Sequence, residues 1–579
     1  NVSIRAGGTI DVGDIVSGDG AVTILENVPP IAPLSIVPLD DVIALNSLTE
    51  DAIEISVPPD PLPEEPPFLE VEVAEPAETV LLGQDERGNP IIGPSTQTPS
   101  KQDIEPKPII TAISPPPTTD ISNQEDPPDF IPEDDSIPDD LDFWFPGVEV
   151  DRQIVREIES GLIDIEDLRL DEYSDEFGDE ISEDEAMTPA QVRQVLGQIE
   201  AQTGLKPGVV YAISLPHNRF QQVDFQAGEE LLALVLVSFG GETFARSVVV
   251  EEASLEIYVD RLMSELKDGN GRSYLGHSKG LYQLLIEPLR PVLEERHIDT
   301  LMFSMDSGLR RVPMGALHDG EQFVIENFKV STIPSVTLTD ARYQSIKETE
   351  VLAMGASHYS IDSDRYYPGI PVALEAIFQW WRGNLFLNQD FTLENLQRQR
   401  RNDNYGIVHL GTHAQFFPPD SEKSDVLNSD DAHILFWDAK ESIADLRENN
   451  WYGDYPVELL VLHACETAIG TIEQELGFAG LAVRAGVKSV IASVWQVNDA
   501  ATMALMSEFY YQLHRQEVPI KAEALRQAQI ALINGKVRIE GDRLIGDGWE
   551  MPLPPDVAGD RRFSHPYHWA GFTTIGSPW

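Results

Sequence analysis

From residue 188 onward, short and nearly continuous apolar runs alternate with stretches in which apolar side chains recur every three or four positions. Val209–Ile213, Leu231–Phe239, Thr300–Met305, Val351–Gly355, Gly406–Leu410, Val457–His463 and Ser489–Trp495 are the apolar runs. Runs this short, apolar at successive positions, are expected for strands covered on both faces. The helical period predicts helices over Leu255–Leu266, Val372–Trp381, Leu393–Arg400, Glu475–Ala485, Ala500–His514 and Ala522–Ile533, and over Leu281–Leu293 with interruptions at Pro288 and Pro291. The series opens at Thr188-Pro189-Ala190-Gln191, where an N-cap threonine, a proline at the first helical position and a glutamine three residues on form a helix start signal. Such alternation predicts an α/β domain over 188–579, a largely parallel sheet with helices on both faces.

Two other textures precede it. In residues 1–26 apolar positions alternate with small or polar ones between Gly-Asp turns, as in Gly13-Asp14 and Gly18-Asp19. That spacing suits either short strands stacked as rungs of a β-solenoid or one isolated β-hairpin. Residues 27–187 are crowded with prolines and carboxylates, and before residue 151 the only basic residues are Arg5, Arg87, Lys101 and Lys107. Such a stretch buries too little apolar surface to offset chain entropy, so a disordered acidic linker is expected. Asp164–Glu185 continues the acidity. Its oxygen ligands miss the spacing of a calcium loop, and a solvated acidic tail is expected there.

Charge narrows the partners. The 579 residues carry 98 acidic against 40 basic side chains, a formal net charge of −58. Such a field repels nucleic acid and anionic membrane surfaces, and favours basic protein or peptide partners. No apolar run reaches the roughly 18 residues of a bilayer span.

The chemistry concentrates at two strand ends. Cys465, the single cysteine of the chain, closes the run Val457–His463 two residues later, and His413 follows Gly406–Leu410 by three. Parallel strands deliver their functional groups at their C-terminal ends. A thiol held beside an imidazole becomes a thiolate nucleophile, with the same imidazole as later general acid. The backbone N–H groups of Cys465 and Ala414 are the natural oxyanion donors. The alternative is that Cys465 is a small buried hydrophobe. His409, His413 and His463 invite a metal, but a strand spreads positions 409 and 413 about 13 Å apart, so no metal is expected. His409 and His463 are instead expected in the core beneath the dyad. Glu466, Asp499 and Asp306 are candidate carboxylates of a substrate pocket. Asp499 also suits the N-cap of the helix beginning at Ala500.

These residues resemble the CHAT domain, a caspase-like cysteine peptidase module related to separases. Histidine first and cysteine about 50 residues later is the caspase order. The resemblance runs through Asp306–Gly320, Thr332-Ile333-Pro334-Ser335, Phe391–Leu396, Val408–His413, Leu462–Thr467, Gly477–Leu481, Ser493–Asp499 and His565–Phe572, and covers roughly residues 200–579. It implies a caspase-like fold, His413 and Cys465 as the dyad, and endopeptidase activity without a cofactor. It departs at Ala414, where the family usually has glycine, and at His463, where a small serine is commoner. Residues 1–26 resemble the end of a filamentous-haemagglutinin-like β-helix, which implies a secreted or cell-surface protein; without such a stem a cytoplasmic one is expected. A cysteine endopeptidase acting on a protein or peptide, with activation by a partner protein or by cleavage near 150–188, is the leading expectation. A non-catalytic binding or adhesion module on the same scaffold is the alternative.

Overall fold

A computed structural model describes residues 186–215, 229–269, 271–306, 308–362, 366–402, 405–415, 433–442, 457–463, 486–516 and 520–579. It also describes shorter pieces at 2–5, 22–25, 79–84, 90–94, 147–148, 162–163, 165–167 and 169–170. The chain divides into two compact units, Asn1–Val71 and Glu72–Trp579.

In the first unit β1 (Val2–Arg5) and β2 (Val22–Leu25) pair in parallel, Val2 opposite Val22 and Arg5 opposite Leu25. A hairpin would be antiparallel, so the hairpin reading is corrected. No third strand joins the pair among the described residues.

The second unit is built on one long sheet. Its first strands are β3 (Thr79–Gln84), β4 (Pro90–Pro94), β5 (Gly147–Val148), β6 (Pro207–Leu215), β7 (Glu229–Ser238) and β8 (Phe244–Glu251). β9 (Thr300–Met305), β10 (Lys329–Thr332), β11 (Glu350–Gly355), β12 (Gly383–Leu387) and β13 (Tyr405–Gly411) follow. After a small antiparallel sheet of β14 (Ala414–Gln415), β15 (His433–Leu435) and β16 (Lys440–Ser442) come β17 (Leu459–His463) and β18 (Ser489–Ser493). A second small sheet, β19 (Arg538–Glu540), β20 (Arg543–Ile545), β21 (Glu550–Pro552) and β22 (Arg561–Arg562), precedes β23 (Phe572–Gly576).

The order across the long sheet is β3-β4-β12-β11-β13-β17-β18-β23-β10-β9-β6-β7-β8-β5. Two parallel blocks lie inside it, β12-β11-β13-β17-β18 and β23-β10-β9-β6. They meet antiparallel at β18 and β23, so they run in opposite directions. Every residue of β13, β17 and β18 is buried, as their unbroken apolar sequence requires. Each such Leu, Ile or Val contributes roughly 1.5–3 kcal/mol by leaving water. The α/β class thus holds, with the sheet mixed where one largely parallel direction was expected.

The helices fall close to their sequence positions: Pro189–Thr203, Glu252–Asp268, Gly369–Ile377, Leu393–Asn402, Asp499–Arg515 and Lys521–Ile533. Thr188 caps the first through a complete capping box. Leu281–Leu293 resolves into Tyr274–Leu285, a short turn at Glu287–Leu289 and Arg290–Glu295, because each proline removes a backbone donor. The expected helix Glu475–Ala485 lies outside the described residues.

Residues 27–187 are more than a linker. β3 and β4 form a hairpin that adds to the edge strand β12, and β5 adds to β8 at the opposite edge. Positions 162–170 are helical wherever described. Glu166 and Arg169 are buried there, which overturns the solvated-tail expectation for that stretch; the apolar Leu162 and Leu170 on either side hold the segment in the core.

Candidate active site

β13 and β17 set the geometry. They pair in parallel from Ile407 opposite Leu459 to Gly411 opposite His463, a constant offset of 52 positions (463 − 411 = 52). Beyond the last pair the Thr412 N–H donates to the His463 carbonyl at 3.0 Å, so the strand ends remain adjacent. His413 comes next and is buried.

Its imidazole is placed by tyrosines that no sequence signal marks. Tyr367, in the loop after β11, stacks on the His413 ring with centroids 5.7 Å apart and planes 13° from parallel. The Tyr367 hydroxyl lies 3.2 Å from His413 Nδ1. The Tyr367 N–H donates to the Ser357 carbonyl at 2.8 Å, which ties that loop down. Buried Tyr359 places its hydroxyl 3.1 Å from Thr412 Oγ1, and Thr412 Oγ1 donates to the Leu435 carbonyl.

The small sheet orients the backbone after His413. Leu435 N–H donates to the His413 carbonyl at 2.9 Å, while Ala414 faces Ile434. In an antiparallel ladder this makes Ala414 a non-hydrogen-bonded position, whose N–H points out of the pair. The Ala414 backbone is extended here, a conformation any residue adopts.

Beneath the strand ends lie His409 and His463, buried with ring centroids 5.7 Å apart, edge to face. His409 stacks on Tyr510 of the helix Asp499–Arg515, and its Nδ1 is 3.0 Å from the Tyr510 hydroxyl. Burial pushes both imidazoles down, His463 to about 3, and the neighbouring His463 adds to the effect at His409. They are neutral core groups at ordinary pH. Among the described residues no cluster of three or more His, Cys, Asp or Glu is arranged to hold a metal.

The three candidate carboxylates separate. Asp499 is the first residue of its helix, and the N-cap is Asn498, whose side chain accepts the Ala501 N–H at 3.1 Å. An asparagine amide oxygen one residue earlier meets the free N–H groups better than Asp499 does, which corrects the N-cap expectation. Asp499 Oδ2 instead accepts the Gly369 N–H at 2.7 Å, two residues from Tyr367. Burial raises its pKa, opposed by that hydrogen bond and by Arg561. A Cβ on Gly369 would stand 2.7 Å from Asp499 Oδ2, so glycine permits the approach. Asp306 follows β9, which runs opposite to β13, so it stands at the other edge of the sheet from His413. Its carboxylate is held there by Arg169 and by the Ser214 N–H at 2.6 Å. Cys465 and Glu466 lie outside the described residues. A cavity of about 580 Å³ lined by Asp340, Arg342, Glu458 and Lys488 opens at the N-terminal ends of β17 and β18, away from His413.

The CHAT domain family matches residues 276–577, just over half of the chain. The chain belongs to the CHAT domain family. That match leaves residues 1–26 aside and gives no support to a haemagglutinin-like β-helix. The CHAT chain is similar to the structure of the Saccharomyces cerevisiae separase–securin complex, at 10% identity and a TM-score of 0.38. That likeness covers 67% of this chain and 31% of the other, so the chain spans about a third of that chain's length. It is also similar to the Arg-specific cysteine proteinase gingipain R, at 10% identity and a TM-score of 0.31, over 56% of this chain and 74% of that one. No curated protein matches the chain. Among the described residues of this CHAT protein, no helix is long and apolar enough to cross a membrane.

Proposed function

We propose that this CHAT protein is a cysteine endopeptidase in which Cys465 is the nucleophile and His413 its base. The carrying observation is the register of β13 and β17: the offset of 52 that pairs Gly411 with His463 is also the separation of His413 and Cys465 (465 − 413 = 52). By chain position, His413 and Cys465 each come two residues after the last paired position of their strand.

His413 accepts the thiol proton, and the thiolate attacks the scissile carbonyl carbon. The N–H groups of Ala414 and Cys465 receive the oxyanion. His413 then returns the proton to the leaving amine, and a water deprotonated by His413 cleaves the thioester to release the acid and the thiol. The Tyr367 hydroxyl at Nδ1 would fix the ring's orientation and leave Nε2 to the thiol. A basic residue before the scissile bond fits the negative field, and Asp499 is its partner: its Oδ1 is buried and has no hydrogen-bond partner among the described residues.

The test is the pH dependence of alkylation by iodoacetamide, which reads the one thiol without deconvolution. Fast labelling at about pH 6 that collapses in His413→Ala is expected for a thiolate–imidazolium pair. An ordinary thiol profile in both proteins would sink the reading of this chain as an active enzyme and leave an inert cysteine in a binding module or an enzyme awaiting activation. A cleavage screen then tests the acid, with preference for Arg or Lys expected in the native protein and lost in Asp499→Asn.

A further inference from the structure

The second parallel block also has a C-terminal edge, and a piece of the supposed linker fills it. Leu162, Glu166, Arg169 and Leu170 are each no more than 5% exposed. Glu166 Oε1 accepts the Tyr211 hydroxyl at 2.8 Å and the Val336 N–H at 3.2 Å. Glu166 Oε2 accepts the Thr337 N–H at 2.9 Å and the Thr337 hydroxyl at 2.6 Å. Three positions further on, Arg169 pairs with Asp306, whose other oxygen takes the Ser214 N–H. The apolar side chains enter two cores: Leu162 belongs to the smaller one, with Tyr211, Ile333 and Val336 among its members, and Leu170 joins the main core.

Every host group lies on β6 or just beyond the C-terminal ends of β6, β9 and β10, where open parallel sheets receive ligands. Two successive N–H groups and two hydroxyls on one carboxylate make an anion nest. A buried carboxylate is tolerated only with such a set, and a charged group with no partner there would cost several kcal/mol. The anchoring is also local. Thr337 Oγ1, which donates to Glu166, accepts the Met187 N–H at 3.0 Å, so the chain on both sides of 171–185 is held by the same residue.

We propose that this edge is a peptide-recognition groove for a helical segment carrying Leu, Glu, Arg and Leu at the spacing of 162, 166, 169 and 170. The chain's own residues 162–170 fill it in cis. Recognition rests on non-covalent contacts, so the segment stays bound after the chain is cut on both sides of it. The proposal does not depend on Cys465.

The test uses the full-length protein with two site-specific protease recognition sequences inserted, one after Arg156 and one after Glu176. After both cuts the released peptide is expected to co-elute with the protein on gel filtration. A fluorescent peptide of residues 160–172 is expected to exchange into the cut protein. The same peptide carrying Glu166→Lys is expected to bind at least about ten-fold more weakly, and one carrying Asp167→Ala, at an exposed position, equally well. Loss of the excised peptide on gel filtration, or equal affinity for the Glu166→Lys peptide, overturns the proposal. Because only the peptides are altered, neither result depends on a variant protein folding.

Discussion

His463 shows how one side chain beneath the site shapes the protein's response to acid. Its folded pKa is about 3 against an ordinary 6.5, because burial disfavours the charged ring. Below pH 6.5 the unfolded imidazole binds a proton that the folded one refuses until about pH 3, so stability falls as pH drops through that window. The limiting slope is about 1.4 kcal/mol per pH unit. His463→Ser is therefore expected to flatten the loss of stability between about pH 6 and pH 4, measured by urea unfolding at each pH. Parallel curves for the two proteins would mean that His463 is not the refusing group. His409 faces the same burial penalty, and because His463 adds to it, His463→Ser also relieves part of the penalty at His409.

Among the elements, the helix Pro189–Thr203 offers the cleanest case of a local signal realised. Thr188 Oγ1 accepts the Gln191 N–H at 3.3 Å, and Gln191 Oε1 accepts the Thr188 N–H at 2.8 Å, so two otherwise unsatisfied donors are met reciprocally. The apolar side is buried through Val192, Leu196 and Ile199. Thr188→Ala is expected to lower stability by about 1 kcal/mol, read as a fall in urea midpoint with an unchanged slope. No change would mean that the tertiary contacts of Val192 and Leu196 alone hold the first turn. β13 and β17 are the contrasting elements: nothing in their composition states a register, and pairing alone brings Gly411 opposite His463.

For the molecule as a whole, the net charge of −58 predicts long-range attraction of basic ligands. For a basic peptide substrate, kcat/KM is expected to fall as salt is raised across the range where the screening length shortens from about 30 Å to 10 Å, with kcat nearly constant. A flat salt profile would leave only short-range pairing, such as that offered by Asp499. The opposed directions of the two parallel blocks matter at this scale too. They send Asp306 and His413 to different edges, although both follow apolar strands of similar appearance.

The sequence by itself determined the α/β class, the approximate place of most strands and helices, and the position of His413 just beyond the end of β13. These are legible because strand burial writes unbroken apolar runs, helix ends write caps, and His413 follows such a run by a few residues. Tertiary structure alone decided the reversal between β18 and β23, the stacking of Tyr367 on His413 and the approach of Asp499 to Gly369. It also decided the burial of Glu166 and Arg169 in a stretch whose composition reads as solvated. The physical reason is one of range. Propensity and periodicity are set by neighbours a few residues apart, whereas a carboxylate in the acidic stretch is placed by Tyr211, Val336 and Thr337, 45 to 171 positions away.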